Sequence, residues 1–284
     1  MTAEPGAPAP EAGPQAPSGP RWRRWVVAGS VFLVAAASTA DLGGAFGEGT
    51  SPPVVGGLPG PGTSRTAGGD PAPPRRTRSC QRDSLIGTVA VRRVAARRSA
   101  SRSSPVIRRF RRVGLLGVPQ VFLIEESVVG EEGDPWFRVL LPVRPNGTTG
   151  YVPAGALEVT RTPYRLHLDR DRFRLRLFRR CRVIRTFTVG IGTGRTPTPV
   201  GRFYLASLLK LPVRDTVYGP YAYGLSGFSN VLRTWRFGGI IGLHGTNDPS
   251  SIGRRSSHGC IRLRNRDIRQ LVPILPLGTP IEIT

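Results

Sequence analysis

The amino-acid sequence predicts a mainly β protein, in which a small barrel precedes a larger β-rich domain with one or two short helices. Five short apolar stretches between residues 85 and 160 are each bounded by Gly, Pro or Asn, which is typical of short strands joined by turns. From Tyr164 onward, apolar and polar residues alternate with the period of two that marks a half-buried strand. Helical spacing of apolar residues is confined to the C-terminal part of the chain.

The N-terminal part of the 284-residue chain lacks the apolar periodicity of a packed core. Residues 1–24 are rich in Pro, Ala and Gly and predict a disordered leader, which is cytoplasmic if the chain is anchored. Residues 25–40 are an apolar run preceded by three arginines, which is typical of a secretory signal but shorter than the about 20 residues of a membrane span. A cleaved signal peptide and an uncleaved membrane anchor both remain open. Residues 41–84 are rich in Gly, Pro, Thr and Ser and predict a flexible linker.

Residues 85–160 predict the small barrel. Within it, the segment 135–159 places two strands around a Pro-Asn-Gly turn, with an aromatic residue near the start of each strand. The segment 91–114 is dense in arginine and allows a basic helix or a solvated loop, and a solvated face is the favoured interpretation.

Residues 163–284 predict the larger domain. The segment 164–192 alternates apolar and polar residues and predicts strands joined by turns at Asp-Arg-Asp-Arg and Arg-Arg-Cys-Arg. Apolar residues at helical spacing predict a short helix within 265–275, capped by Asn265. Further short strands are expected within 196–209, 238–245, 259–263 and 279–284.

The charge of the chain is strongly positive. Lys and Arg number 41 against 18 Asp and Glu, and the formal net charge is +23. An arginine-rich surface attracts nucleic acid, anionic lipid or an anionic wall polymer, and charge alone does not choose among them. Arginine-biased codon usage is an equally simple explanation.

Two of the three histidines and one of the three cysteines lie within residues 244–263. Cys260 carries a thiol that becomes a strong nucleophile when a base or a positive charge lowers its pKa. If the strands that hold His244 and Cys260 run side by side, imidazole and sulfur form a thiolate–imidazolium pair, with a backbone carbonyl near Gly245 orienting the ring. The backbone N–H groups of Gly259 and Cys260 are candidates for an oxyanion hole. Arg262 lies on the same side of its strand as Cys260 and is placed to bind a carboxylate.

Two other interpretations use the same residues. His244, His258 and Cys260 are possible zinc ligands, but only Asp248 stands near them as an acidic residue, and the spacings of common zinc sites are absent. An inert buried thiol beside a core histidine is the other alternative.

The segment from His244 to Asn265 resembles the signature of the L,D-transpeptidase catalytic domain, the YkuD type. That signature has a His-Gly pair, a loop of about a dozen residues, and then Ser or Thr, a basic residue, Gly, Cys, Ile or Val, and Arg. The segment 190–205 is similar to the second motif of the family, a strand leading into Thr-Pro-x-Gly-x-Phe. The resemblance covers about residues 163–284, whereas residues 85–160 resemble a bacterial SH3-like domain through strand number and the Pro-Asn-Gly turn.

The resemblance implies a cysteine acyltransferase that forms 3→3 crosslinks between peptidoglycan stem peptides, without metal or organic cofactor. It implies that Cys260 is the nucleophile and His244 its base, and that Gly259 contributes to the oxyanion site. Substrate-binding positions then fall on Ser257, His258, Arg262 and Gly245. Hydrolysis of the same bond and attachment of a protein to peptidoglycan remain alternatives. Residues 211–237, which the resemblance makes a lid, match no motif of the family.

Export and a free Cys260 leave Cys80 and Cys181 as a possible disulfide, with two exposed thiols as the alternative. The expected partners are peptidoglycan stem peptides and, through the arginines, anionic wall polymers. A nucleic-acid-binding protein is the rival from another class, but the secretory segment and the Cys/His motif argue against nucleic acid as a partner. The protein is expected outside the cytoplasmic membrane, secreted or held there by its N-terminal segment alone.

Overall fold

The computed structural model describes residues 82–211, 216–234 and 236–284. Within them the chain is mainly β, as predicted, with one α-helix. The predicted leader, signal or anchor and most of the linker lie outside the described residues, as does Cys80. No helix in the described part of the chain is long and apolar enough to cross a membrane.

The N-terminal module is a seven-stranded antiparallel sheet with the strand order β3-β2-β6-β5-β4-β1-β7. Its strands are β1 (Ser84–Val89), β2 (Arg93–Arg97), β3 (Val106–Arg111), β4 (Val121–Val129), β5 (Pro135–Leu140), β6 (Thr149–Pro153) and β7 (Leu157–Thr162). Five strands were expected, and the two additional ones are β2 and β3. The SH3-like character of the module stays a prediction.

The arginine-dense segment 91–114 is not a helix, because β2 and β3 form a hairpin within it. Val94, Ala96 and Phe110 are buried, and Val94 lies directly across from Phe110, while Arg93 and Arg111 are exposed. The buried apolar residues hold the hairpin on the module, and arginines form its solvated face.

The catalytic-type module is built on an eight-stranded sheet with the order β10-β9-β8-β17-β12-β13-β14-β16. A short parallel pair of β11 and β15 stands beside it. The elements are β8 (Tyr164–Asp169), β9 (Arg174–Arg179), β10 (Arg182–Thr188), β11 (Ile191–Gly192), β12 (Gly201–Lys210), β13 (Tyr221–Phe228), β14 (Ile240–His244), β15 (Arg255–Ser257), β16 (Ile261–Arg262), α1 (Asn265–Leu271) and β17 (Pro280–Ile283). The predicted turns between β8, β9 and β10 and the predicted C-terminal strand are confirmed.

The predicted helix cap is wrong. Arg264 occupies the N-cap position of α1 and makes no capping hydrogen bond through its side chain. Asn265 lies in the first turn instead, and its side-chain oxygen accepts a hydrogen bond from the backbone N–H of Thr246 at 2.9 Å. The amide therefore holds the loop after β14 rather than the start of its own helix.

The two modules share a small apolar cluster. Tyr204 of β12 is fully buried among Ile86, Val121, Leu123 and Leu140 of the N-terminal sheet. Its hydroxyl donates a hydrogen bond to the carbonyl of Val121 at 3.0 Å, so the polar group is satisfied where water is excluded. The position of the N-terminal sheet against β12 is thus set by packing and by a directional contact.

Candidate active site

The parallel strands β14 and β16 bring His244 and Cys260 together. Their register pairs Leu243 with Ile261 and His244 with Arg262. Cys260 therefore lies across from Gly242, and the backbone N–H of Gly242 donates a hydrogen bond to Cys260 Sγ at 3.3 Å. The pairing of these two strands therefore brings together His244 and Cys260, which are sixteen residues apart in the chain.

The thiol and the imidazole border the same small space, which exists because residue 242 is glycine. A methyl group added to Gly242 would lie 3.1 Å from His244 Cδ2 and 3.5 Å from Cys260 Sγ. These two atoms are therefore at most 6.6 Å apart, the sum of the two distances. A substrate carbonyl that enters this space meets both side chains.

His244 is held in one orientation. Its Nδ1 lies 2.5 Å from the carbonyl oxygen of Gly245, and since a carbonyl only accepts, Nδ1 carries the proton and Nε2 the lone pair. The ring of Tyr218 packs edge-on against the imidazole, with 5.0 Å between ring centroids. The expected orienting carbonyl near Gly245 is thus present, and the free lone pair on Nε2 makes the ring a competent base.

Gly245 itself is enclosed, although it was predicted among the substrate-binding positions. A side chain on Gly245 or on Gly219, whose φ is +60°, would overlap Asn265 Oδ1. The close approach of these two backbones to the Asn265 amide fixes the carbonyl that orients His244.

Burial shifts the pKa values of His244 and Cys260 in the directions that favour their neutral forms. It lowers the pKa of His244 to about 4, and the positive charge of Arg262 acts in the same direction, whereas the hydrogen bond that Nδ1 donates to the Gly245 carbonyl raises it. Burial also raises the pKa of the Cys260 thiol, opposed by the Gly242 N–H group and by Arg262. Burial therefore disfavours the charged form of each group, and the expected thiolate–imidazolium pair stays a prediction.

The turn before Cys260 is closed by Ser257. Its hydroxyl donates to the carbonyl of Cys260 at 2.6 Å and accepts from the N–H of Gly259 at 3.1 Å. Ser257 is buried and turned into the protein, so the prediction that its side chain lines the pocket is wrong. The N–H of Gly259 is likewise engaged and is not free for an oxyanion, which corrects its predicted role. The N–H of Cys260 has no hydrogen-bond partner among the described residues.

The Thr-Pro-Thr-Pro segment braces this turn from the other side. Thr198 Oγ1 donates to the carbonyl of Gly259 at 2.8 Å and accepts from the N–H of Gly192 at 2.9 Å. Thr196 Oγ1 donates to the carbonyl of Ser257 at 3.2 Å. The segment therefore positions the cysteine turn without touching the sulfur.

Comparison with known proteins places this geometry in a family. The sequence profile of the YkuD family, the L,D-transpeptidase catalytic domain, matches residues 163–283. A Bacillus licheniformis protein named as the L,D-transpeptidase YkuD is 34% identical over 154 residues, which are 52% of this chain and 86% of that protein. The chain belongs to the YkuD family of L,D-transpeptidases. The resemblance seen in the sequence is confirmed, and the protein is an enzyme of this class.

Two further relatives have the same name or class. The Bacillus subtilis protein named YkuD is 36% identical over 122 residues, covering 43% of this L,D-transpeptidase and 66% of its relative. A solved L,D-transpeptidase from Mycobacterium smegmatis has a TM-score of 0.34 and 16% identity, covering 53% of this chain and 90% of that one.

Arg262 of this L,D-transpeptidase stands beside the reacting pair with unused hydrogen-bonding capacity. Its Nη1 lies 3.8 Å from Asp248 Oδ2, while its Nε is buried without a hydrogen-bond partner in the described part of the chain. Hydrogen bonds from Ser250 hold the pKa of Asp248 below its usual range, so its carboxylate stays charged and keeps Arg262 near the site.

The remaining predicted features are the role of His258, a metal site and a disulfide. His258 is exposed on the turn before Cys260, and its substrate-binding role stays a prediction. No cluster of three or more His, Cys, Asp or Glu suited to a metal ion occurs among the residues that the structure describes. Cys260 is a free thiol and Cys181 is disulfide-bonded, but Cys80 lies outside the described residues, and its pairing stays a prediction.

Three contributions to the site could not be assigned from sequence alone. Gly242, Thr198 and Asn265 act through backbone contacts with residues far along the chain. Asn265 and Thr198 lie in the two motif segments and Gly242 lies two residues before the first of them, so position in or near the motifs was the available signal. No local pattern tells which atom such a residue will contact.

Proposed function

We propose that this protein is a cysteine-dependent L,D-transpeptidase that joins peptidoglycan stem peptides by 3→3 crosslinks through a thioester on Cys260. One observation carries the proposal: Cys260 Sγ and the ring of His244 border one space, with His244 Nδ1 tied to Gly245 and Nε2 left as a base. The family supports the class of reaction, and the site supports the assignment of roles.

In the first half-reaction, the neutral thiol attacks the carbonyl carbon of the bond between meso-diaminopimelate and D-alanine. The sulfur–carbon bond forms while the thiol proton passes to Nε2 of His244. The N–H of Cys260 is the available backbone donor for the oxyanion. When the carbon–nitrogen bond breaks, the imidazolium returns its proton to the nitrogen of D-alanine, which leaves as the free amino acid.

In the second half-reaction, a side-chain amine of a neighbouring stem attacks the thioester carbon. His244 accepts a proton from that amine, the sulfur–carbon bond breaks, and the sulfur takes the proton back. An amide forms and the neutral pair is restored. Water in place of the amine gives the hydrolysed stem, which is the carboxypeptidase alternative.

Arg262 supports recognition of an anionic substrate. Its buried Nε has no partner among the described residues, and an unsatisfied donor beside the nucleophile favours a bound carboxylate. Stem peptides carry free carboxylates close to the bond that is cut. We assign Arg262 to binding one of them.

The proposed substrate lies outside the cytoplasmic membrane. The secretory-type segment at residues 25–40 supports export, followed by release or by anchoring through that segment.

The test is incubation with a carbapenem, a β-lactam that acylates nucleophilic thiols of this kind, followed by intact-mass analysis and peptide mapping. We expect one adduct on Cys260 and none in Cys260→Ala. His244→Ala should acylate at least about 100-fold more slowly, because general-base catalysis contributes that much or more. Acylation of His244→Ala at the unmodified rate would mean that this histidine is not the base.

Product analysis separates the outcomes of the thioester. Incubation with purified tetrapeptide stems should give a crosslinked dimer that contains two diaminopimelates and lacks one D-alanine. Tripeptide alone would support the carboxypeptidase alternative, and neither product would reject peptidoglycan stems as the substrate.

A further inference from the structure

An arginine-walled cavity lies between the two modules. Its volume is about 480 Å³, and no acidic residue lines it. One wall is the exposed outer strand β3 with Arg108, Arg109 and Arg111, and the other wall belongs to the catalytic sheet and includes Ser207 and Ile240. A second cavity of about 550 Å³ shares Arg111 and adds Arg92 and Arg112.

The catalytic wall of the cavity belongs to the sheet face that carries Cys260. Gly224 and Gly242 are paired across β13 and β14, so their outward directions point to the same face. A methyl group on Gly224 would lie 2.6 Å from Ser207 Oγ and 3.5 Å from Ile240 Cγ2, whereas one on Gly242 would lie 3.5 Å from Cys260 Sγ. Ile240 and Gly242 are two residues apart, about 7 Å along the strand. The cavity therefore begins close to the sulfur on the same side of the sheet.

The arginines of this wall are not balanced by the protein. Arg108, Arg109 and Arg111 are exposed, and none makes an ion pair with a carboxylate in the described part of the chain. Arg111 stands directly across from Arg93 in the β2–β3 register, a like-charge pair that destabilises a hairpin. An anion bound at these arginines would offset the repulsion.

The geometry points to a second substrate subsite, in which Arg108, Arg109 and Arg111 bind carboxylates of the peptidoglycan strand whose stem reacts at Cys260. This inference rests on the proposed function. We favour a neighbouring part of the same strand over an unrelated anionic polymer, because the cavity wall with Ser207 and Ile240 lies on the sheet face that carries Cys260. The N-terminal module then acts as part of the substrate site, through polymer binding rather than chemistry.

The experiment compares Arg108→Gln/Arg109→Gln/Arg111→Gln with a matched control, Arg174→Gln/Arg182→Gln/Arg185→Gln. The control removes three exposed arginines from β9 and β10, at the opposite edge of the catalytic sheet. Both variants lose the same charge. The measurements are retention on purified peptidoglycan stripped of phosphate polymers, kcat/KM for crosslinking of that material, and the rate of acylation by a carbapenem.

We expect the β3 variant to lose roughly 10- to 100-fold in kcat/KM on the polymer, chiefly through KM, while carbapenem acylation stays unchanged. The control should change less than about twofold in both assays. The thermal midpoint of the β3 variant should be equal to or above that of the unmodified protein, because removing Arg111 relieves the repulsion with Arg93.

Unchanged polymer kinetics in the β3 variant would overturn the subsite, and so would an equal loss in the control. Retention that requires teichoic-type phosphate polymers, or duplex DNA bound as tightly at the same salt concentration, would reject the stem peptide as the occupant. If the proposed function were wrong, the result would differ: the unmodified protein would resist acylation by the carbapenem while still binding peptidoglycan. A single Arg109→Gln variant repeats the comparison with the least disturbance of the hairpin.

Discussion

The neutral state of His244 predicts how the stability of the folded protein depends on pH. The imidazole is 3% exposed, and its pKa falls from 6.5 to about 4 on burial. The unfolded chain therefore binds a proton at a higher pH than the folded protein does. The contribution of His244 is fully present above pH 6.5 and is lost as the pH falls towards 4.

The magnitude follows from the two pKa values. Between pH 7.5 and pH 4.5, the free energy of unfolding should fall by about 2 to 3 kcal/mol on account of His244 alone. The slope reports the number of protons bound, and a thiolate–imidazolium pair binds the same number as a neutral thiol and imidazole. It therefore tests the burial of the site and not the position of the shared proton.

The assay is urea unfolding, followed by tryptophan fluorescence, at several pH values between 7.5 and 4.5. The variant His244→Asn removes the titrating group, and its amide can still donate to the Gly245 carbonyl in the place of Nδ1. The control His258→Asn removes an exposed histidine and leaves the buried one. The pH-dependent loss should shrink by about 2 to 3 kcal/mol in His244→Asn, and the His258→Asn variant gives the change that follows from removing an exposed histidine. Equal losses in the unmodified protein and His244→Asn would refute the neutral buried imidazole.

Two further predictions concern residues that shape the site. Gly242→Ala should slow carbapenem acylation by about 100-fold, because its methyl group lies 3.1 Å from His244 Cδ2 and occupies the space between imidazole and sulfur. The control Gly155→Ala meets no atom within 4 Å, and equal rates in the two variants would show that the space is not used. Thr198→Val should lower the free energy of unfolding by about 2 kcal/mol or more, since it strands the Gly192 N–H and the Gly259 carbonyl in a buried place. The exposed Thr186→Val serves as its control in the same urea titration, and a cost no larger than that of the control would contradict the bracing role.

Strands were predicted correctly from the sequence where apolar and polar residues alternate without interruption. Alternation in 164–192 predicted three strands and their turns, and these are β8, β9 and β10. The alternation of apolar and polar residues was less informative in 91–114, where arginines are as numerous as apolar residues. The inward positions Val94, Ala96 and Phe110 were present, but two small side chains and one ring are a weak periodic signal. The formation of this hairpin therefore depends on tertiary packing.

Some features of the site could likewise be predicted from the local sequence, whereas others depend on residues that are distant in the chain. The pairing of His244 with Cys260 followed from two short apolar strands and their spacing, which the β14–β16 register confirms. The use of the Gly259 N–H by Ser257, and of Asn265 by Thr246, depends on how the turns close in space. Such backbone contacts leave no residue-type signal of their own, because Ser and Asn are common in turns for several reasons.

The charge states of Cys260 and His244 depend most clearly on residues that are distant from them in the chain. Residue types alone suggested an ion pair, because a nearby base or positive charge lowers the pKa of a thiol. Enclosure by β13, β14 and the Tyr218 ring disfavours both charged forms at once, and the positive charge of Arg262 favours the thiolate but opposes the imidazolium. Proton transfer must then accompany attack on the carbonyl, with the Gly242 N–H and Arg262 stabilising negative charge on sulfur as it develops. A nucleophile that stays protonated until a carbonyl is in place is also protected from oxidation, since the thiolate is the reactive form.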